Sequence, residues 1–179
     1  MKTIKIPFYT STMDLHVDEK NLKAVLSAKM HDLKTDSSEE QLILDALANP
    51  IGTPRLCELA RGKKRVTLVT SDHTRAVPSK ITLPILLAEI RKGSPDADIT
   101  ILIGTGLHRP TTEEEQRRMF GDSIVDHEKI AINDAYNPEQ FVSVCTLPSG
   151  ARFQVNRLAA ECDLLVTEGF VEPHFFAGF

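Results

Sequence analysis

Nowhere in the 179 residues does an apolar run approach the roughly 20 needed to cross a bilayer, so no membrane-spanning helix is expected. An unbroken apolar leader is lacking too: MKTIKIPFYTST alternates apolar and polar residues, which predicts no signal peptide. Basic residues are not in excess. Lys and Arg number 21 against 25 Asp and Glu, a formal net charge of −4, and a phosphate backbone needs a basic face, so nucleic acid is not the expected partner. The one dense basic patch, Arg61-Gly62-Lys63-Lys64-Arg65, reads as a solvated helix-to-strand turn. Cysteine is scarce: Cys57, Cys145 and Cys162 are scattered, odd in number and without metal-finger spacing, which suits a reducing cytoplasm. Internal repeats and low-complexity linkers are absent as well. What remains, 41% hydrophobic and 26% charged residues, is the balance of a soluble globular chain long enough for one domain with a continuous core.

Periodicity then places the elements. Residues 2 to 9 put Ile4, Ile6 and Phe8 on one face and read as a strand. Residues 10 to 36 are ambiguous; NLKAVLSAK suits a short helix or an extended arm equally. Ser37 with Glu40 forms a capping-box pair ahead of Leu42, Leu44, Ala46 and Leu47, and Asn49-Pro50 stops that helix. A second short helix is expected over 54 to 61, ended by Gly62. From residue 65 the pattern becomes regular: strand 65 to 70, helix 80 to 92 stopped by Gly93-Ser94-Pro95, strand 98 to 103, and helix 112 to 120 capped by Thr111 with Glu114 and closed by Gly121. Further strands are predicted over 128 to 133, 141 to 146 and 151 to 155, then a short helix over 157 to 162 and the strongly apolar strand LLVTEGF. Alternating strands and helices at this spacing mark an α/β fold. It is expected to be a mainly parallel sheet with helices on both faces, Rossmann-like, plus a small β-hairpin.

In a parallel sheet the loops leaving the C-terminal strand ends gather along one edge, where ligands bind. Each of the three most apolar strands is followed at once by unusual polar residues: Ser71-Asp72-His73-Thr74-Arg75, Gly104 to Arg109, and Glu168 to His174. Arg75 can grip a carboxylate through paired hydrogen bonds. Asp72 could hold that arginine, a neighbouring histidine or a ribose hydroxyl. Gly104-Thr105-Gly106 lets the backbone turn tightly, but Arg109 stands where a dinucleotide fingerprint needs its third glycine. Such a loop could instead hold a phosphate or carboxylate at the N-terminus of the helix beginning near Thr112. His108 and His174 are the candidate acid/base groups, and the phenylalanines around His174 could stack on a flat cofactor. His16, His31 and His127 lie in polar stretches and read as surface residues. Two histidines and a carboxylate clamp suit moving hydrogen on and off both faces of one carbon. The α-hydrogen of a 2-hydroxy acid is too weakly acidic for histidine, so the task requires an electron-accepting cofactor. Two other readings stay open: a metal-dependent hydrolase with Asp72, His73, His108 and His174 as ligands, and a nucleotide- or carboxylate-binding module without catalysis.

The combination SDHTR (71 to 75), TGLHRP (105 to 110) and EPHFFAGF (172 to 179) resembles the nickel-dependent lactate racemase family, in order and spacing, from about residue 40 onward. The resemblance implies a nickel pincer nucleotide, a pyridinium mononucleotide whose two thiocarbonyl arms bind nickel and which accepts the C2 hydride of lactate, leaving transient pyruvate. It implies His108 and His174 as proton donor/acceptors, one for each enantiomer. Arg75 would orient the substrate, and Asp72, His73, Thr74 and Arg75 would contact the cofactor. No side chain of this chain is expected to ligate the metal. Lactate or another small 2-hydroxy acid is the implied substrate, cofactor-synthesis proteins are implied partners, and the cytoplasm is the implied location. In the family EPHFFAGF continues into a glycine-rich segment with the cofactor-tethering lysine, then a histidine nickel ligand and a second domain. Residues 1 to 179 are therefore expected to be a single N-terminal α/β domain, the catalytic half without its C-terminal partner, inactive alone and without covalent cofactor. Ala76, where relatives often carry proline, is expected to affect only loop stiffness.

Overall fold

Lys2–Phe8 (β1) pairs antiparallel with Ser11–Val17 (β2), Lys2 opposite Val17 and Phe8 opposite Ser11. The two-residue connection places Tyr9 at φ 52, a left-handed conformation uncommon for a residue with a Cβ. No Gly or Asn marks this turn, which is why β2 escapes a reading of the sequence although Met13, Leu15 and Val17 alternate. The computed structural model describes residues 1–27, 29–32, 34–174 and 178, without the side chains of Met30 and His31. Within that range the chain divides into two compact units, 1–36 and 37–179. In the first unit, residues 22–27 form no regular element between two 3-10 turns, Glu19–Asn21 and Lys29–Asp32, so of the two readings of NLKAVLSAK the helix is not realised. Val25 and Leu26, which a helix would need to bury, are exposed.

The second unit opens with Glu39–Ala48 (α1), capped by the Ser38 hydroxyl accepting from the Gln41 N–H, one residue later than the expected cap. Leu56–Leu59 (α2) follows, then the parallel strand Arg65–Ser71 (β3), the helix Ser79–Gly93 (α3) and Asp98–Gly104 (β4). Glu113–Phe120 (α4) ends at Gly121, whose φ of 86 lets a further short helix, Asp122–His127 (α5), start in a new direction before Lys129–Ile132 (β5). Phe141–Thr146 (β6) and Arg152–Asn156 (β7) form the antiparallel hairpin, with a bulge between Ser143 and Cys145. Arg157–Ala160 (α6) leads into Leu164–Thr167 (β8).

The main sheet has the order β5-β4-β3-β8, every pair parallel. One face presents Val66 and Leu68 of β3 and Ile99, Ile101 and Ile103 of β4 to Leu83, Leu87 and Ile90 of α3, closed by Phe120 and Ile124. On the opposite face α6 lies against β3, where the Thr67 hydroxyl donates to the Leu158 carbonyl at 2.8 Å. The α/β architecture, with helices on both faces and a β-hairpin, is the expected one. Helix α3 ends within the expected Gly93-Ser94-Pro95 stop: Gly93 is the last helical residue, and a Cβ there would lie 1.9 Å from the Cys57 carbonyl oxygen. Glycine is needed for the close approach of α2 and α3. Among the described residues no helix is long and apolar enough to cross a membrane.

Candidate functional site

Because β3 lies between β4 and β8, the three loops singled out by sequence leave adjacent strand ends. Ser71 registers with Gly104, and Val69 with Thr167. Backbone turns shape the first two loops: the Arg75 N–H donates to the Asp72 carbonyl at 3.2 Å, and the His108 N–H to the Thr105 carbonyl at 2.9 Å. Gly106, at φ 55 with open space where a Cβ would stand, leaves this backbone accessible from the solvent side. Ser71, Asp72, Thr74, Arg75, Gly104, Thr105, Gly106 and His108 line an open recess of about 230 Å³. Ligand pockets commonly span ~300–1,000 Å³, so these residues make one wall able to take a small acid.

Asp72 is the hinge of the recess. Its carboxylate is buried, with Oδ2 2.6 Å from His108 Nδ1, while Oδ1 accepts from the Thr74 hydroxyl at 2.6 Å and the Thr74 N–H at 3.0 Å. Burial pushes the Asp72 carboxyl up, but hydrogen bonds from the Thr74 hydroxyl, His108 and the Thr74 backbone outweigh it, so the group is held below the usual carboxylate range. An ionised carboxylate only accepts, so Nδ1 of His108 carries the hydrogen and Nε2 is left to exchange protons. The His108 side chain is half-exposed, as such a role requires. Of the three tasks open to Asp72, it takes the histidine.

Arg75 donates from Nη1 to the Thr74 hydroxyl at 3.4 Å, and its Nε lies 3.0 Å from a Glu172 carboxylate oxygen. That ion pair joins the loop after β8 to the loop after β3. His174 stands two residues further on, its backbone exchanging hydrogen bonds with Gly178 at 2.9 and 2.7 Å, and it is not among the residues lining the recess. The aromatic positions Phe175, Phe176 and Phe179 lie outside the described residues, as does the side chain of His31; His16 and His127 are exposed as expected.

His73 does not join Asp72 and Arg75 at the recess. Its Nδ1 lies 3.3 Å from the Thr111 hydroxyl and 3.8 Å from Glu115. Thr111, buried and paired with His73, is not the cap of α4; that role moves to Thr112, whose capping-box partner is Glu115. Arg109 grips Glu115 with both terminal nitrogens, at 2.8 and 2.6 Å, and together with the Thr112 N–H holds the Glu115 carboxyl well below its usual range. The N-terminus of α4 is therefore engaged by its own Glu115 carboxylate, which takes the place of the anion suggested by the loop. Among the described residues no three His, Cys, Asp or Glu side chains converge as metal ligands.

Sequence reasoning gave no role to Glu168. Its Oε1 accepts from the Thr70 hydroxyl at 2.6 Å and the Ser79 hydroxyl at 2.5 Å, and Oε2 accepts from Thr82. Thr70 is the penultimate residue of β3 while Ser79 and Thr82 lie at the start of α3, so one carboxylate fastens the end of β8 to the element pair that carries the Asp72 loop. The only signal in the sequence is an acid directly after an apolar strand. Glu168→Ala leaves the fully buried Thr70 and Ser79 hydroxyls without their acceptor and is expected to cost about 2–3 kcal/mol of unfolding free energy in a denaturant titration. A loss below about 0.5 kcal/mol, the scatter of ordinary surface changes, would show that the hydroxyls satisfy each other.

Residues 8–179 match the family model of the lactate racemase N-terminal domain. The chain is 48% identical over its full length to a lactate racemase of Thermoanaerobacterium thermosaccharolyticum and 42% identical to one of Lactiplantibacillus plantarum, covering 42% of each relative. It thus spans less than half the length of these curated relatives. The structure of the lactate racemase apoprotein from T. thermosaccharolyticum superposes with a TM-score of 0.87 at 46% identity, over 97% of this chain and 40% of that one. A Thermotoga maritima protein shares the fold, with a TM-score of 0.56 at 22% identity, over 75% of this chain and 34% of that one.

Proposed function

We propose that this chain, which belongs to the lactate racemase N-terminal domain family, supplies the acid/base and substrate-orienting wall of a 2-hydroxy-acid racemase acting on D- and L-lactate. The observation that carries the reading is the buried Asp72 carboxylate fixing His108 at 2.6 Å beside Arg75, on the sheet edge where the loop of His174 also emerges. Arg75 takes the substrate carboxylate. His108 accepts the C2 hydroxyl proton at Nε2 for one enantiomer, and His174 does so for the other. Holding the carboxylate while C2 becomes planar lets hydrogen return to either face, with the second histidine giving back the proton.

The cofactor of this reading is a nickel pincer nucleotide. The Arg75 guanidinium fits its anionic groups, and the open backbone at Gly106 fits close approach of a flat ring. The Asp72 to Arg75 loop would hold it through Arg75, with Asp72, His73 and Thr74 bracing the loop from behind. When bound, the group supplies a hydride acceptor, chemistry that side chains lack. The same reading puts the protein in the cytoplasm, dependent on cofactor-synthesis proteins and on the further domain that its longer relatives carry.

The test is an assay of the natural full-length protein made together with the cofactor-synthesis proteins. Either lactate enantiomer should relax to an equal mixture, with nickel bound in stoichiometric amount. Loaded protein that leaves both enantiomers unchanged would overturn the reading.

A further inference from the structure

The terminal nitrogens of Arg75 are useful to a carboxylate only if the guanidinium is turned correctly, and the structure shows what turns it. Arginine offers five N–H donors in a planar fork. Nη1 donates to the Thr74 hydroxyl, which itself lies 3.5 Å from His108 Nδ1, so the terminal edge of the guanidinium stands on the His108 side of the recess. Nε faces the other way and meets Glu172 at 3.0 Å. Thr74 does not set this orientation alone, because its contact with Nη1 is long, at 3.4 Å.

We infer that Glu172 is a positioning residue for substrate recognition: it holds the Nε edge of Arg75 so that the terminal nitrogens present themselves to the carboxylate of a 2-hydroxy acid beside His108. The inference rests on the reading of Arg75 as the carboxylate clamp. Both partners are about a third exposed, at 36% each, so solvent screens the pair and it adds little to stability. Its effect belongs to orientation, and therefore to substrate binding. The pair also assigns a purpose to the acid of the Glu172-Pro173-His174 sequence distinct from proton transfer.

A double-variant cycle in the natural full-length, cofactor-loaded protein tests this. Glu172→Ala should raise KM for both lactate enantiomers about tenfold while kcat changes less than about threefold, and calorimetric binding of lactate should weaken to match. Glu172→Gln, whose amide oxygen still accepts the Nε hydrogen, should recover most of the loss. In an Arg75→Ala background the further change Glu172→Ala should alter KM less than about twofold, because the group it orients is gone. Independent, additive losses from the two sites would overturn the positioning role while leaving Arg75 as the clamp. Tighter lactate binding in Glu172→Ala would overturn it by showing that Glu172 competes with substrate. No effect of Arg75→Ala would sink the clamp itself, and with it this inference.

Discussion

His108→Ala in the cofactor-loaded, full-length protein lowers kcat for lactate racemisation by about 10²–10⁴-fold, the usual worth of a positioned proton-transfer group. Three features place His108 at the top of the ranking. It is half-exposed at the mouth of the recess, its Nδ1 is fixed by a buried carboxylate at 2.6 Å, and Arg75 stands one residue away from the Thr74 hydroxyl that both side chains approach. The deletion removes a half-exposed ring, so packing loss is small and the variant should keep its fold. KM should change far less than kcat, since Arg75 remains to hold the carboxylate. Loss of KM with kcat intact would make His108 a binding residue only.

Asp72→Asn should cost a comparable factor, about 10²–10⁴-fold in kcat, although it changes one atom and reaches no substrate. The argument is geometric. Both Thr74 donors point at Oδ1 of Asp72. In the asparagine variant they fix the amide oxygen in that place, which leaves the NH2 group facing Nδ1 of His108. Nδ1 must then accept, its hydrogen moves to Nε2, and the nitrogen needed as a base is blocked. The pH dependence has a definite sign. Asp72 has a folded value below its ordinary one, so its contribution is complete above the ordinary carboxylate range near 4 and is lost as pH falls through the depressed folded value. The stability gap between wild type and Asp72→Asn should therefore be full at neutral pH and shrink only in strong acid. Denaturant titrations at a series of pH values read this directly, and a gap that closes between pH 6 and 8 would assign the effect to another group.

The sheet was legible because its strands are short apolar runs bounded by polar turns, and strand-end convergence follows from parallel pairing. Placing Asp72, Arg75 and His108 together needed nothing more. Loop side chains obey no such period. Nothing in SDHTR shows that His73 turns toward Thr111 and Glu115 while its neighbours face the recess, because that choice depends on where α4 begins. The cap of α4 was misplaced by one residue for the same reason: Thr111 and Thr112 are equal candidates until His73 claims the first. Glu168 and Glu172 were hidden differently. Each acts through partners about 90 to 100 residues away in sequence, Thr70 and Ser79 for one and Arg75 for the other, and no local pattern carries such a pairing.

The central claim is that two histidines, on the strand-end loops that flank the loop after β3, serve opposite enantiomers. The most direct measurement is a single half-turnover of loaded His108→Ala and His174→Ala proteins with each lactate enantiomer, quenched in acid and assayed for the keto acid. The account predicts mirror-image results: each variant still forms keto acid from one enantiomer and fails with the other, and the two variants fail with opposite ones. Keto acid from both enantiomers in either variant, or loss of the same enantiomer in both, would contradict it.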